Sequence, residues 1–100
     1  MIEKKELKLL PIGTVCKIKE KNVEVMIIGY FDVDKNTKVV KDYKAVVYPY
    51  GVLNLDYYYT FNEKDIEKVL FEGYHNLNYD AFLLGVNKAI NNVSFKDIFN

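Results

Sequence analysis

The sequence predicts a small α+β fold: a five-stranded antiparallel curved sheet or SH3-like barrel, with a short helical turn and a C-terminal helix. Three observations predict it. Short β-prone runs are separated by Gly, Pro, Asn and Asp from residue 11 to residue 74. The apolar period then changes from about two to between three and four after Asn78. At 100 residues, half of them apolar, the chain has material for one core and no room for two.

Residues 1–8 form a charged leader, and residues 9–100 are expected to form a single domain, with the β part over about 9–74 and the helical part over about 78–99. Pro11 and Gly13 punctuate entry into the first strand, Thr14 to Ile18, in which Cys16 and Ile18 share one face and Lys17 takes the other. Glu20-Lys21-Asn22 is a polar turn. Val23 to Ile28 begins with alternation and becomes apolar on both faces, as a covered central strand does. Gly29 marks a bulge or bend before the strand continues through Tyr30, Phe31 and Val33. Asp34 to Lys41 is turn-prone, and Tyr43 to Tyr48 is a third strand ended by Pro49, which has no N–H to give a ladder.

Tyr50 to Leu55 reads as an irregular connection, and Asp56-Tyr57-Tyr58-Tyr59-Thr60-Phe61 as an aromatic fourth strand. Asn62 is placed to cap a short helix through Lys68, with Glu63 and Asp65 in its first turn and Ile66 as its inward anchor. Val69 to Glu72 returns to extended structure and Gly73 ends it. Asn78 caps a helix from Tyr79 to about Asn91, whose apolar stripe is Tyr79, Phe82, Leu83, Val86 and Ile90. Ser94 and Asp97 make a weak capping box in the tail around Phe95, Ile98 and Phe99.

Composition narrows the function classes. Fourteen cations balance fourteen anions, and every cation is lysine. Without a basic excess or arginine's bidentate fork, nucleic acid is disfavoured as a partner. No apolar run is long enough to span a membrane, and the first residues lack a signal peptide's apolar stretch, so a cytoplasmic protein without a membrane association is expected. One cysteine builds neither an internal disulfide nor a cysteine-rich metal site, which suits a reducing compartment.

Catalytic and metal patterns are weak. Asp32-Val33-Asp34-Lys35-Asn36 copies the opening of a calcium loop, yet Thr37 replaces the turn glycine and Tyr43 stands where a bidentate glutamate should close the site. A solvated hairpin turn accounts for it better. Cys16 and His75 are the sole thiol and imidazole, so a Cys/His hydrolase would need both, and no orienting residue or nucleophile motif supports one. Glu63, Asp65, Glu67 and Glu72 read as solvated or helix-start charges. No catalytic residue, cofactor or metal is expected.

Nine tyrosines are the more telling feature, because aromatic side chains dominate protein interfaces. Tyr57, Tyr58 and Tyr59 are consecutive, so a strand cannot turn all three the same way, and some aromatic surface follows. The competing account is cross-strand pairing of these rings. In the tail, Phe95 and Phe99 either dock on the domain or enter a partner's groove.

Leu10-Pro11-Ile12-Gly13-Thr14-Val15, Met26-Ile27-Ile28-Gly29-Tyr30, Tyr43 through Pro49, and Ile66-Glu67-Lys68-Val69-Leu70-Phe71-Glu72-Gly73-Tyr74 follow one another in a characteristic order. In that order and spacing they resemble the DUF4176-like family of small bacterial proteins, over about residues 9 to 75 and a following helix. Genes of that family sit beside type VII secretion genes and LXG-type toxins in Gram-positive bacteria. The resemblance implies a non-enzymatic cytoplasmic adaptor or chaperone that binds a toxin before export. The expected partner is a helical toxin targeting domain encoded nearby, held by a monomer or within a hetero-complex. An immunity protein that blocks a toxin domain is the alternative. His75-Asn76-Leu77-Asn78 replaces the acidic stretch that follows Gly-Tyr in many relatives, a departure that bears on partner identity more than on fold. The partner-binding residues expected are Tyr57, Tyr58, Tyr59, Phe95 and Phe99.

Overall fold

The computed structural model describes residues 8–34, 36–54 and 57–92, with side chains as far as 89. Its elements run β1 (Val15–Ile18), β2 (Glu24–Val33), β3 (Val40–Val47), β4 (Tyr59–Phe61), a 3₁₀ turn (Glu63–Asp65), β5 (Ile66–Phe71) and α1 (Leu77–Asn92). Contacts divide the chain into two compact units, one of Leu10–Tyr74 and one that includes Leu9 and α1.

The first unit is a five-stranded antiparallel sheet in the order β4-β3-β2-β1-β5. This is the curved, open form of the predicted fold, since β4 and β5 are its two edges. Curvature follows from the connection between them. Five flat strands about 4.8 Å apart would hold the edges about 19 Å from each other. Asn62 to Asp65 is the whole link, and with Glu63–Asp65 wound as 3₁₀ at about 2 Å per residue it cannot reach so far. The sheet must coil to bring its edges together.

The 3₁₀ turn stays fixed through bonds to both sides of the sheet. Asn62 Oδ1 accepts the Asp42 N–H at 3.0 Å, Asp42 Oδ2 accepts the Glu63 N–H at 2.9 Å, and the Asp65 carbonyl accepts the Lys19 N–H at 2.8 Å. Asp65 also reaches back, its carboxylate accepting the Asn62 N–H at 2.9 Å.

Register explains the core. Cys16 lies opposite Val25 and Val25 opposite Val47; Ile27 lies opposite Ala45 and Ala45 opposite Tyr59; Tyr30 lies opposite Tyr43 and Tyr43 opposite Phe61. These rows put Cys16, Val25, Ile27, Tyr43, Ala45 and Phe61 in the buried interior. The predicted bulge at Gly29 appears as a register shift between Ile27 and Gly29.

Several boundaries differ from expectation, β3 among them: it runs Val40–Val47, starting inside the span read as turn-prone, where Tyr43 to Tyr48 was expected. Strand β4 starts at Tyr59 and leaves out Tyr57 and Tyr58: the Tyr57 N–H bonds the Asn54 carbonyl, and Asp56 lies outside the described residues. The helix expected from Glu63 to Lys68 is a single 3₁₀ turn. Ile66 opens β5 opposite Ile18 in place of anchoring a helix, because the run Val69-Leu70-Phe71 favours extension and β1 offers a free edge. Helix α1 starts at Leu77, and its cap is Asn76, whose Oδ1 accepts the Tyr79 N–H at 3.1 Å, in place of Asn78. Along α1, Tyr79, Leu83 and Val86 are half-buried, as the predicted stripe requires, while Phe82 is 40% exposed. The side chain of Ile90 and the Ser94/Asp97 box lie outside the described residues. No helix among the described residues is long and apolar enough to cross a membrane.

Candidate functional site: a tyrosine-lined groove

The two sequence segments at the ends of the β part interlock. Gly73 approaches so closely that a Cβ placed on it would stand 2.3 Å from the Ile12 carbonyl oxygen. Its N–H donates to the buried Thr14 hydroxyl at 3.0 Å, and Thr14 in turn joins β2 through its carbonyl, which accepts the Ile27 N–H at 2.9 Å. Gly13, at φ +92°, makes the turn that glycine adopts without strain. Tyr43 ties in the preceding residue: its hydroxyl accepts the Leu10 N–H at 3.0 Å and donates to Glu63, while the Tyr30 hydroxyl donates to the Leu10 carbonyl. Burial, then the bond to Glu63, pushes the Tyr43 hydroxyl's pKa up. These polar groups bond to one another and so fix the fold.

One cavity, of about 450 Å³, adjoins these segments, with Gly13, Val15, Glu24 and Phe71 in its lining; a second, the more aromatic, lies at the β4 edge. A groove of about 310 Å³ is lined by Val47, Tyr50, Gly51, Leu53, Asn54, Tyr57 and Tyr59. Tyr50, Leu53 and Tyr57 stand 67%, 73% and 65% exposed, an unusual concentration of large apolar side chains in contact with solvent. The tyrosine run divides, although only Tyr59 belongs to a strand. Tyr57 and Tyr59 enter the groove, whereas Tyr58 lies outside its lining, its ring 4.1 Å from the Lys44 ammonium. Lys44 also meets Asp32 at 3.8 Å. Sequence reasoning missed Tyr50 and Leu53, which it left in an irregular connection. The available signal was a loop carrying Tyr48, Tyr50, Val52 and Leu53, too apolar for a purely solvated turn. Phe95 and Phe99 lie outside the described residues.

Cys16 is wholly buried, and burial together with the nearby Glu63 charge raises its thiol from an ordinary value near 9 to about 11. Such a thiol supplies little thiolate for attack. His75 is exposed, its ring 5.8 Å from that of Tyr79. Asp34 folds its own turn: Oδ1 accepts the N–H groups of Asn36 and Thr37 at 2.8 and 3.1 Å, and Oδ2 accepts the Thr60 hydroxyl at 3.3 Å. The Thr37 and Asn36 N–H groups hold its carboxyl below the usual carboxylate range. Among the described residues no three His, Cys, Asp or Glu side chains converge as metal ligands would.

A coiled, open five-stranded sheet with an aromatic groove at one edge defines a small α+β domain. The family model for a domain of unknown function, DUF4176, matches residues 9–82, and the chain belongs to that family. No curated protein and no solved structure matches it.

Proposed function

We propose that this protein is a non-enzymatic cytoplasmic adaptor or chaperone that binds an LXG-type toxin, or another substrate of type VII secretion, before export. The observation that supports the reading is the groove of Tyr50, Leu53, Tyr57 and Tyr59, uncharged and rimmed by exposed rings. Tyrosine supplies large contact area at low entropy cost, and such residues carry most of the energy in protein interfaces. The partner is a helical segment with an apolar stripe, which a groove of this kind accepts on its aromatic walls.

Co-expression with an LXG-domain protein, followed by titration of the purified partners, tests this. A stable complex is expected, and Tyr50→Ser combined with Tyr57→Ser weakens it about 30-fold or more, while circular dichroism stays unchanged because both side chains are exposed. Unchanged affinity removes the groove as the binding surface. Binding confined to the C-terminal toxic domain, with rescue of cells from that domain, replaces the adaptor by an immunity protein.

A further inference from the structure

Helix α1 carries exposed leucines on its solvent face. Leu77, Asp80, Ala81, Leu84, Gly85 and Lys88 fall at helical spacings of three and four and are all exposed, Leu77 at 83% and Leu84 at 73%. The half-buried side chains Tyr79, Leu83, Val86 and Asn87 occupy the other side. A surface helix keeps its solvent face polar, and this one sets two highly exposed leucines between its charges.

Its charges are arranged about that face. Asp80 and Lys88 are the sole charged residues in Leu77–Asn92, and each stands four residues from Leu84. An antiparallel copy related by a two-fold axis at Leu84 sets Asp80 level with Lys88 of the second copy and Lys88 level with its Asp80, while the two Leu84 side chains meet at the axis. Ala81 and Gly85 flank Leu84 with little bulk, and apart from adjoining residues and the helix's own backbone nothing lies within 4 Å of where a Cβ on Gly85 would stand, so a second helix can approach closely there. We propose that this face of α1 pairs with the same face of a second copy, forming an antiparallel two-helix dimer. A foreign helix would also find leucine here, but the two-fold match of charge is a property of the chain with itself. The proposal goes beyond the toxin-binding reading and does not depend on it.

Sedimentation of the full chain between about 1 µM and 1 mM tests it, a range suited to a single helix pair, which buries less than a standard interface. A concentration-dependent dimer is expected. Leu84→Glu sets two carboxylates face to face and abolishes it. Asp80→Lys and Lys88→Asp, each alone, reverse two pairs from attraction to repulsion and weaken self-association about tenfold. Mixing these two variants restores both pairs and yields a heterodimer of wild-type strength, an outcome that loss of folding cannot imitate; circular dichroism checks that each retains its helix. A wild-type chain that stays monomeric to 1 mM overturns the proposal, as does a mixture that stays monomeric or a dimer indifferent to Leu84→Glu.

Discussion

At Gly73 a missing side chain determines how the first and last segments of the sheet meet. A Cβ would overlap the Ile12 carbonyl at 2.3 Å and crowd the Thr14 nitrogen at 2.9 Å, both backbone atoms that cannot rotate away. Relief would pull the Gly73 N–H from the buried Thr14 hydroxyl, so steric and hydrogen-bond losses arrive together. Gly73→Ala is therefore expected to cost at least about 2 kcal/mol in urea unfolding, whereas Gly29→Ala, whose Cβ would make ordinary contact with Lys44 Cβ at 3.8 Å, costs under about 1. Equal costs would show that the close approach is not what holds the segments together. The buried acids give a second test. Cys16 keeps its proton to about pH 11 when folded and loses it near 9 when unfolded, so between those values the native state binds more protons and stability falls as pH rises. Tyr43, raised in the same direction, extends the fall upward. Urea midpoints measured from pH 8 to 11 should decline from about pH 9, and Cys16→Ala should flatten the early part of that slope even though its cavity lowers stability at pH 8.

Among the elements, legibility tracked how local the determining interaction is. The strands β1, β2 and β3 were readable because alternation and the turns that bound them are carried within each segment, and even the bulge at Gly29 had its own marker. The region from Tyr57 to Phe71 was not, since its form depends on partners far away in sequence. Asn62 and Glu63 do look like a helix start, and they begin a 3₁₀ turn; what ends it at Asp65 is the bond from the Lys19 N–H and the pairing of Ile66 with Ile18. Strand β5 then carries two register irregularities against β1 and a lysine at position 68. Bulges and lysines blunt an edge that also bears Val69, Leu70 and Phe71, 42%, 39% and 64% exposed, and so discourage indiscriminate strand pairing there. For the groove, the tyrosine run announced aromatic surface, but the arrival of Tyr50 and Leu53 beside Tyr57 and Tyr59 depends on how the β3–β4 connection folds back, which no local pattern records.

For the molecule as a whole, the question is how much of the chain the sheet needs. Val15, Cys16, Ile18, Val25, Ile27, Tyr43, Ala45, Val46 and Phe61 are all buried core residues, and all belong to the compact unit Leu10–Tyr74. The polar bonds that close the coil, from Tyr43 to Leu10 and Glu63 and from Gly73 to Thr14, also begin and end inside it. A unit that holds its own core and satisfies its own buried polar groups has what independent folding requires, and chains of about 60 residues with such cores do fold alone. The fragment of residues 10–74 is thus expected to give a β-type circular dichroism spectrum and a single cooperative urea transition, with a stability of about 3–5 kcal/mol. The Gly73→Ala substitution should lower that transition as it does in the full chain, because Ile12, Thr14 and Gly73 are all retained. A fragment that shows no cooperative transition, or that unfolds identically with and without Gly73→Ala, would mean that the sheet draws its stability from residues outside 10–74.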